Sequence, residues 1–573
     1  MISRKIPPII LLLLGLRLLK DDDSNVLAVV IALQRHPPAL RVFRALFEIS
    51  LIIFAAALSV HVWTDAVGKT VVGELLFCSP TRMDEQRHGR YQRISGDDRE
   101  EASMDNNDDD DDDSDDDKVE SGRRLRKQGS YLSGNDMDAD YASDGEIAEG
   151  LAVSEPDSET HPPTSLHVLE IAIDLFLWVL VFLFLFTLSS AGGGRYIKGM
   201  QGVTESQLMA SIAAPLFPLF LFVGALMRTI FPWSKRKSLW IILFTTVGAP
   251  FCNVTFRDGF VGDVLTSSVR PMQDVAFTIF YVLSGLQGWW SEAYDLDNAA
   301  HPVERSWIVR TVVLPLCMVS PLWWRFNQNL RQVWDAKKRW PYLGNAFKYL
   351  AAAQVAMFGV FDPTRRTSPV WLVCAIAATL YQVWWDVVMD WELIRLERNS
   401  KFSTLRLREQ RLYESKWTYW TILVINIILR FGWTMTFFPK HFLDRTGALR
   451  STFEGIFVYI DPLLASAEIL RRTLWGFIRL EWEAIKCHAD DPKVNERLRK
   501  CWHGEDDSGD VELQSMERHD RIPRPLFDEG DMGFDLSNDL GDKSSMQIML
   551  ELFIWTGLFL AGGAIAAARR GTF

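Results

Sequence analysis

The costly residues come first. Leu423–Phe438 reads LVINIILRFGWTMTFF and is apolar enough to lie in a bilayer, yet Arg430 stands near its middle. An arginine at membrane depth costs about 3 kcal/mol on insertion scales, so it marks a polar cavity or a partner. On a helix Asn426, Arg430 and Trp433 fall at i, i+4 and i+7 and share one face. A guanidinium offers a planar fork of two donors, the geometry that grips a carboxylate or another oxyanion. Two readings follow: a polar stripe that handles an anion, or an arginine that only neutralises a structural aspartate.

Other apolar stretches carry charges of the same kind. Trp371–Trp391 contains Asp386 and Asp390 one turn apart in WWDVVMDW, and two carboxylates there need cations or protons nearby. Phe260–Leu286 holds Asp263, Arg270 and Asp274 with Pro271 in the middle, a pattern for a broken helix lining a cavity. Asp263 and Ser267 lie at i and i+4. Phe453–Phe477 carries Glu468, Arg471 and Arg472, and the carboxylate reaches either arginine at i+3 or i+4. Arg472, Trp475 and Arg479 form a further stripe. Lys348 and Tyr349 open the run Leu350–Phe361, where a lysine at the edge would snorkel to water.

The elements that must position these residues are membrane helices. The chain has 573 residues, 48% hydrophobic, and its 22 Trp and 35 Phe suit aromatic belts at bilayer interfaces. Several runs approach the roughly 20 apolar residues a span requires, Val168–Leu188 and Met549–Ala566 most clearly. The net charge of −12 is concentrated in a hydrophilic segment, Arg82–Pro163, with an unbroken run at Asp108–Asp113. That segment cannot bury a core and is expected to be disordered. The six cysteines form no CxxC pair and no metal spacing. No cofactor or metal is expected, and nucleic acid is not an expected partner. The organisation expected is an N-terminal cytosolic segment over 1–40 with the apolar run Ile6–Leu19, and a first helix region over 41–78. The acidic insert then fills 79–164, a helical domain 165–487, a polar tail 488–547 and an extra hydrophobic helix 548–573. Arg35, Arg41 and Arg44 before the first span Ala45–Trp63 argue for a cytosolic N-terminus. The basic, aromatic Arg325–Tyr349 reads as a cytosolic juxtamembrane segment. The charged stretch Ile394–Lys416 is expected to face water, and the small-residue run AGGAIAAA of the last helix can pack against a neighbour.

The spaced blocks RF.Q.LR…D.K…P.L.NA.KY (Arg325–Tyr349), LY…WD..MDW (Leu380–Trp391), LRF.W (Leu429–Trp433) and E..RR..W.F.RLE.E (Glu468–Glu483) resemble the EXS family. This is the membrane domain of phosphate exporters of the xenotropic-retrovirus-receptor type. Phe256–Ser267 (F…F..DVLTS) fits an earlier block, and Arg41–Trp63 and Leu166–Phe186 follow more weakly. The resemblance implies an all-α, polytopic transmembrane bundle of about ten helices, some discontinuous, around a phosphate path. It carries the phosphate-lining role to Asp263, Lys348, Tyr349, Asp386, Asp390, Arg430, Arg471 and Arg472, and the gate to Trp433. Long members begin with an SPX domain, a basic sensor of inositol pyrophosphates. Only a short segment precedes the first span here, so SPX regulation is not expected. The chain is thus similar to the SPX-less, ER-retention-defective type of the yeast Golgi, which implies recycling of phosphate from the Golgi lumen.

Inorganic phosphate fits these residues: arginines grip its oxygens, and the carboxylates keep binding weak enough for release. An enzyme is not expected, because two aspartates at i and i+4 on one helix are poorly placed to share a proton across a substrate. The alternative is a Golgi trafficking or retention adaptor whose cytosolic loops, near Lys337–Arg339, bind glycosylation enzymes or coat proteins without transport. Besides phosphate and the bilayer, a homodimer is a possible assembly.

Overall fold

The computed structural model describes residues 37–76, 164–193, 216–283, 306–361, 368–399, 402–432, 450–489, 491–503, 540 and 543–568. Ile6–Leu19, the acidic insert and Trp433 lie outside the described residues. The chain is an all-α helical membrane protein; a two-stranded hairpin is its one sheet among those residues. Four helices are long and apolar enough to cross a membrane by themselves: Arg41–Ala66, Ser165–Phe186, Pro369–Asp390 and Ser545–Ala568. Of the others, Leu216–Ile230 is apolar but only 15 residues long, and α-helices such as Phe256–Ser267 and Lys416–Arg430 are short and carry charges.

The first helix, α1 (Pro37–Ala66), is followed by the short α2 (Lys69–Leu76), α3 (Ser165–Gly193), α4 (Leu216–Ile230) and α5 (Trp233–Val247). The expected broken helix is present as α6 (Phe256–Ser267) and α7 (Val269–Leu283). The break falls at Ser268, so Pro271 sits in the first turn of α7, where its missing N–H removes no helical bond. Thr255 caps α6 in a capping box with Asp258, and Asn253 accepts from Arg331 at 2.7 Å. The formal sequon Asn253-Val-Thr255 is thus engaged at both ends.

Next come α8 (Leu314–Ala336), entered through a π turn, α9 (Tyr342–Phe361) and α10 (Pro369–Trp384). Helix α10 runs on as a π segment, Trp385–Asp390. The stretch Ile394–Lys416 contains the antiparallel hairpin β1 (Ile394–Asn399) and β2 (Phe402–Leu407), and it does not face water throughout: Arg408, Arg411 and Leu412 are buried, with Arg408 and Leu412 held by Glu481. The chain closes with α11 (Lys416–Arg430), the 39-residue α12 (Arg450–His488), α13 (Pro492–His503) and α14 (Ser545–Ala568). The small residues of α14 do pack against a neighbour: a Cβ on Gly562 would come within 1.9 Å of Gln354 Oε1, and Gly563 faces Met357. Arg339 grips Glu551 at 2.7 Å and fixes the start of that helix.

Arg325–Tyr349 comprises the end of α8, a turn and the start of α9; Arg325, Asn327, Gln328 and Asn329 are buried, while Asp335 and Lys338 are exposed. Two of the sidedness expectations conflict with each other. The end of α1 lies beside the end of α12, because Lys493 Nζ donates to the Thr64 carbonyl at 2.8 Å and Trp63 meets Phe260, which meets Trp475. The same end gathers Glu392 on Lys486, Arg479 over Phe256, and Arg331 on Asn253. The start of α1 is at the opposite end, where Arg44 grips Asp274 and Phe43 meets Phe186. A cytosolic start of α1 and a cytosolic Lys337–Arg339 therefore exclude each other. Of the arginines behind the first of these, two are used inside the protein: Arg44 pairs with Asp274 and Arg41 stacks over Phe277.

Candidate functional site

Five parts of the bundle send charged groups inward, and the groups close into a ring. On α6, Asp263 accepts from Arg325 Nε and Nη2 at 3.0 and 3.1 Å. Tyr349 of α9 donates to the same carboxylate at 2.5 Å. Arg325 also donates to Gln328 Oε1 at 2.5 Å, and Gln328 in turn donates to the carbonyls of Thr246 and Asp258. Only glycine fits at 262, since a Cβ there would stand 2.5 Å from Arg325 Cδ.

Next to Tyr349, Lys348 is 5% exposed and points its ammonium at Asp390, 3.8 Å away. It does not snorkel: α9 begins at Tyr342, about two turns before the apolar run Leu350–Phe361, so Lys348 lies inside the bundle. Asp386 and Asp390 belong to the π segment, whose wider turn spreads residues four apart. They take different partners. Asp386 receives Arg430 Nη2 at 2.7 Å, Arg430 Nε at 3.1 Å and Asn426 Nδ2 at 3.2 Å. The face expected on α11 is thus realised for Asn426 and Arg430, and Gln382 completes the grip by accepting from Arg430 at 2.6 Å.

Helix α12 closes the ring. Arg471, fully buried, donates to Asn426 Oδ1 at 3.1 Å and lies 3.8 Å from Asp386. Its other donors hold Glu468 at 2.6 and 2.9 Å, so the carboxylate chooses the i+3 arginine. Glu468 also accepts from Ser267 of α6 at 2.7 Å, and Arg472 donates to Ser267 at 2.9 Å. Arg472 stacks over Trp475. Arg479, expected on the same stripe, turns away to Glu483 and Phe256.

The circuit runs α6, α8 with α9, the π segment, α11, α12 and back to α6. It contains the cations Arg325, Lys348, Arg430, Arg471 and Arg472 and the carboxylates Asp263, Asp386, Asp390 and Glu468. All eight path residues expected from the sequence belong to it. Arg325, Gln382 and Gln328 were missed as site residues; an arginine three residues before a glutamine, in a stretch flanked by tryptophans and leucines, was the available signal. The arrangement pairs every charge but Arg472, which is held by the Ser267 and Thr266 hydroxyls, and leaves one cation in excess, which suits reversible attraction of an anion.

Below the ring, toward the end shared by α1 and α12, Glu481 accepts from Tyr419, from the Leu412 backbone N–H at 2.7 Å, and faces Arg408 at 3.3 Å. This anchors the strand pair to α12. Burial, then the nearby Glu481 carboxylate, push the Tyr413 phenol in that loop above its ordinary range.

The fold is that of a helical membrane protein with a closed circuit of buried and partly buried arginines and carboxylates inside the bundle. The EXS family matches residues 39–485, and the chain belongs to that family. It is 30% identical over 307 residues to the SPX and EXS domain-containing protein 1 of Dictyostelium discoideum, covering 50% of this chain and 30% of that one. It is 32% identical over 274 residues to the xenotropic and polytropic retrovirus receptor 1 homolog of Danio rerio, covering 46% and 37%. It is 30% identical over 288 residues to the phosphate transporter PHO1 homolog 9 of Arabidopsis thaliana, covering 48% and 32%. The chain thus spans well under half the length of these curated relatives.

Proposed function

We propose that this protein is a transporter, not an enzyme, and that it carries inorganic phosphate down its gradient across an endomembrane through the ring described above. The observation that carries the reading is the charge balance of that ring: five cations, four of them buried and Arg430 partly so, against four carboxylates, with arginine forks already arranged for oxyanions. A relative named as a phosphate transporter supports the substrate. In this reading Asp263, Lys348, Tyr349, Asp386, Asp390, Arg430, Arg471 and Arg472 line the path, with Arg325 holding Asp263. The carboxylates orient the guanidinium groups in the empty state and yield them in part to phosphate, so that binding stays weak enough for exit. Trp433, three residues after Arg430, is the gate. The helical body over 165–487 together with the first helix forms the transport unit, and the organelle is the Golgi, where the protein returns phosphate from the lumen.

The test is labelled phosphate flux in proteoliposomes. Wild-type protein is expected to pass phosphate in preference to sulfate. Arg430→Ala is expected to abolish flux, and Arg430→Lys to reduce it at least tenfold, because an ammonium cannot reproduce the fork on Asp386. Phosphate flux undiminished in both variants, or absent from well-folded wild type under pH gradient and membrane potential, would overturn the reading.

A further inference from the structure

A cavity of about 240 Å³ lies beside the ring, between α1, α5, α6 and α12. Its walls are apolar, built by Ile52, Val60, Ile242, Phe260, Val264 and Ile469. Ala56, also on its lining, is exposed on a helix that crosses the membrane, so the cavity opens toward the acyl region. Its polar lining comprises Arg257 and Arg472, at its two ends, with Ser267, Ser268 and Thr473; Arg257 also reaches Asp258 at 3.4 Å, and among the described lining residues none is a carboxylate. Trp63 is 5% exposed, and its indole N–H finds no acceptor among the described residues. A buried donor left without an acceptor is a standing cost that a ligand oxygen would remove.

We infer that this cavity binds an anionic lipid: one acyl chain lies against the apolar walls, the acidic head group meets Arg257, and a head-group oxygen accepts from Trp63, which packs on Phe260 one turn along α6 from Arg257. Small-ligand pockets run roughly 300–1,000 Å³, so this one holds a single chain and not two side by side. A free phosphate ion does not fit, because most of the wall offers it no donor. Lipid binding stands apart from the transport reading.

The experiment is photolabelling of the purified full chain with a diazirine-bearing fatty acid, mapped by peptide mass spectrometry. Label is expected on α1 near Ala55 and on α6 near Val264. Ala55→Trp, which fills the cavity, is expected to cut labelling at least fivefold. Arg257→Gln is expected to weaken the acid probe while leaving the matching fatty alcohol unchanged, and Trp63→Phe to weaken both. Competition by oleate identifies a free fatty acid, and competition by phosphatidic acid a phospholipid; either supports the proposal. Arg430→Ala is expected to label like wild type even when flux is lost, which separates this inference from the transport reading. Label that ignores Ala55→Trp in a monodisperse variant, equal labelling by alcohol and acid, or competition by inorganic phosphate would each overturn it.

Discussion

Neutralising Asp263 tests the ring most directly. Its carboxylate lies 3.0 Å from Arg325, with both groups buried. Two unit charges at that distance attract by roughly 5–6 kcal/mol at an effective dielectric constant near 20. Desolvation offsets much of this when the pair forms, but removing one partner leaves the other charge buried alone, a loss of about 3–5 kcal/mol. Asp263→Asn and Arg325→Gln are each expected to destabilise the protein by that amount. The double variant removes both charges, so it is expected to recover at least about 2 kcal/mol relative to the sum of the singles. Equilibrium unfolding in mixed micelles with increasing SDS measures all four corners of the cycle. Additive losses, with coupling below about 0.5 kcal/mol, would refute the pairing and with it the closure of the ring between α6 and α8.

Other elements give sharper local tests. Gly562→Leu drives a side chain into Gln354 and is expected to lower stability by about 1–3 kcal/mol and loosen α14, read as a lower melting temperature and faster proteolysis at its start. Glu481→Ala leaves Arg408 buried without its carboxylate and is expected to cost about 3–5 kcal/mol in the same unfolding assay. In a cysteine-free background, cysteines at the exposed positions Lys69 and Lys500 are expected to react with an impermeant maleimide from the same side of sealed vesicles. Labelling from opposite sides would contradict the shared end of α1 and α12.

The buried charges were legible in the sequence because an ionised group in an apolar run stands out by its cost. Asp263, Asp386, Asp390, Arg430, Arg471 and Arg472 were all visible for that reason, before any partner was known. Arg325 was not, because Asn327, Gln328, Asn329 and Arg331 make its surroundings look like a surface. The structure resolves this with the helix period: Arg325 and Gln328 face α6, while Arg331 turns outward to Asn253 and Asp335. The π segment was also hidden. No residue type announces an i+5 bond, and one turn apart on an α-helix would have pointed Asp386 and Asp390 at the same cations.

The conflict between the two sidedness expectations has the same origin as the missed arginine. Positive-inside reasoning counts arginines that remain free to stay in the cytosol. Arg41 and Arg44 are engaged by Phe277 and Asp274 of α7, so helix packing is a second reason for their position beside the side of the membrane. In a bundle that keeps so many charges inside, a flanking arginine carries topological information only after its partner is known. The break at Ser268 matters for this reason: it lets α6 turn Asp263 and Ser267 into the ring while α7 turns Asp274 back to α1. One discontinuity thus serves both the buried circuit and the scaffold around it, and restoring a continuous helix there would force one of the two sets of ion pairs apart.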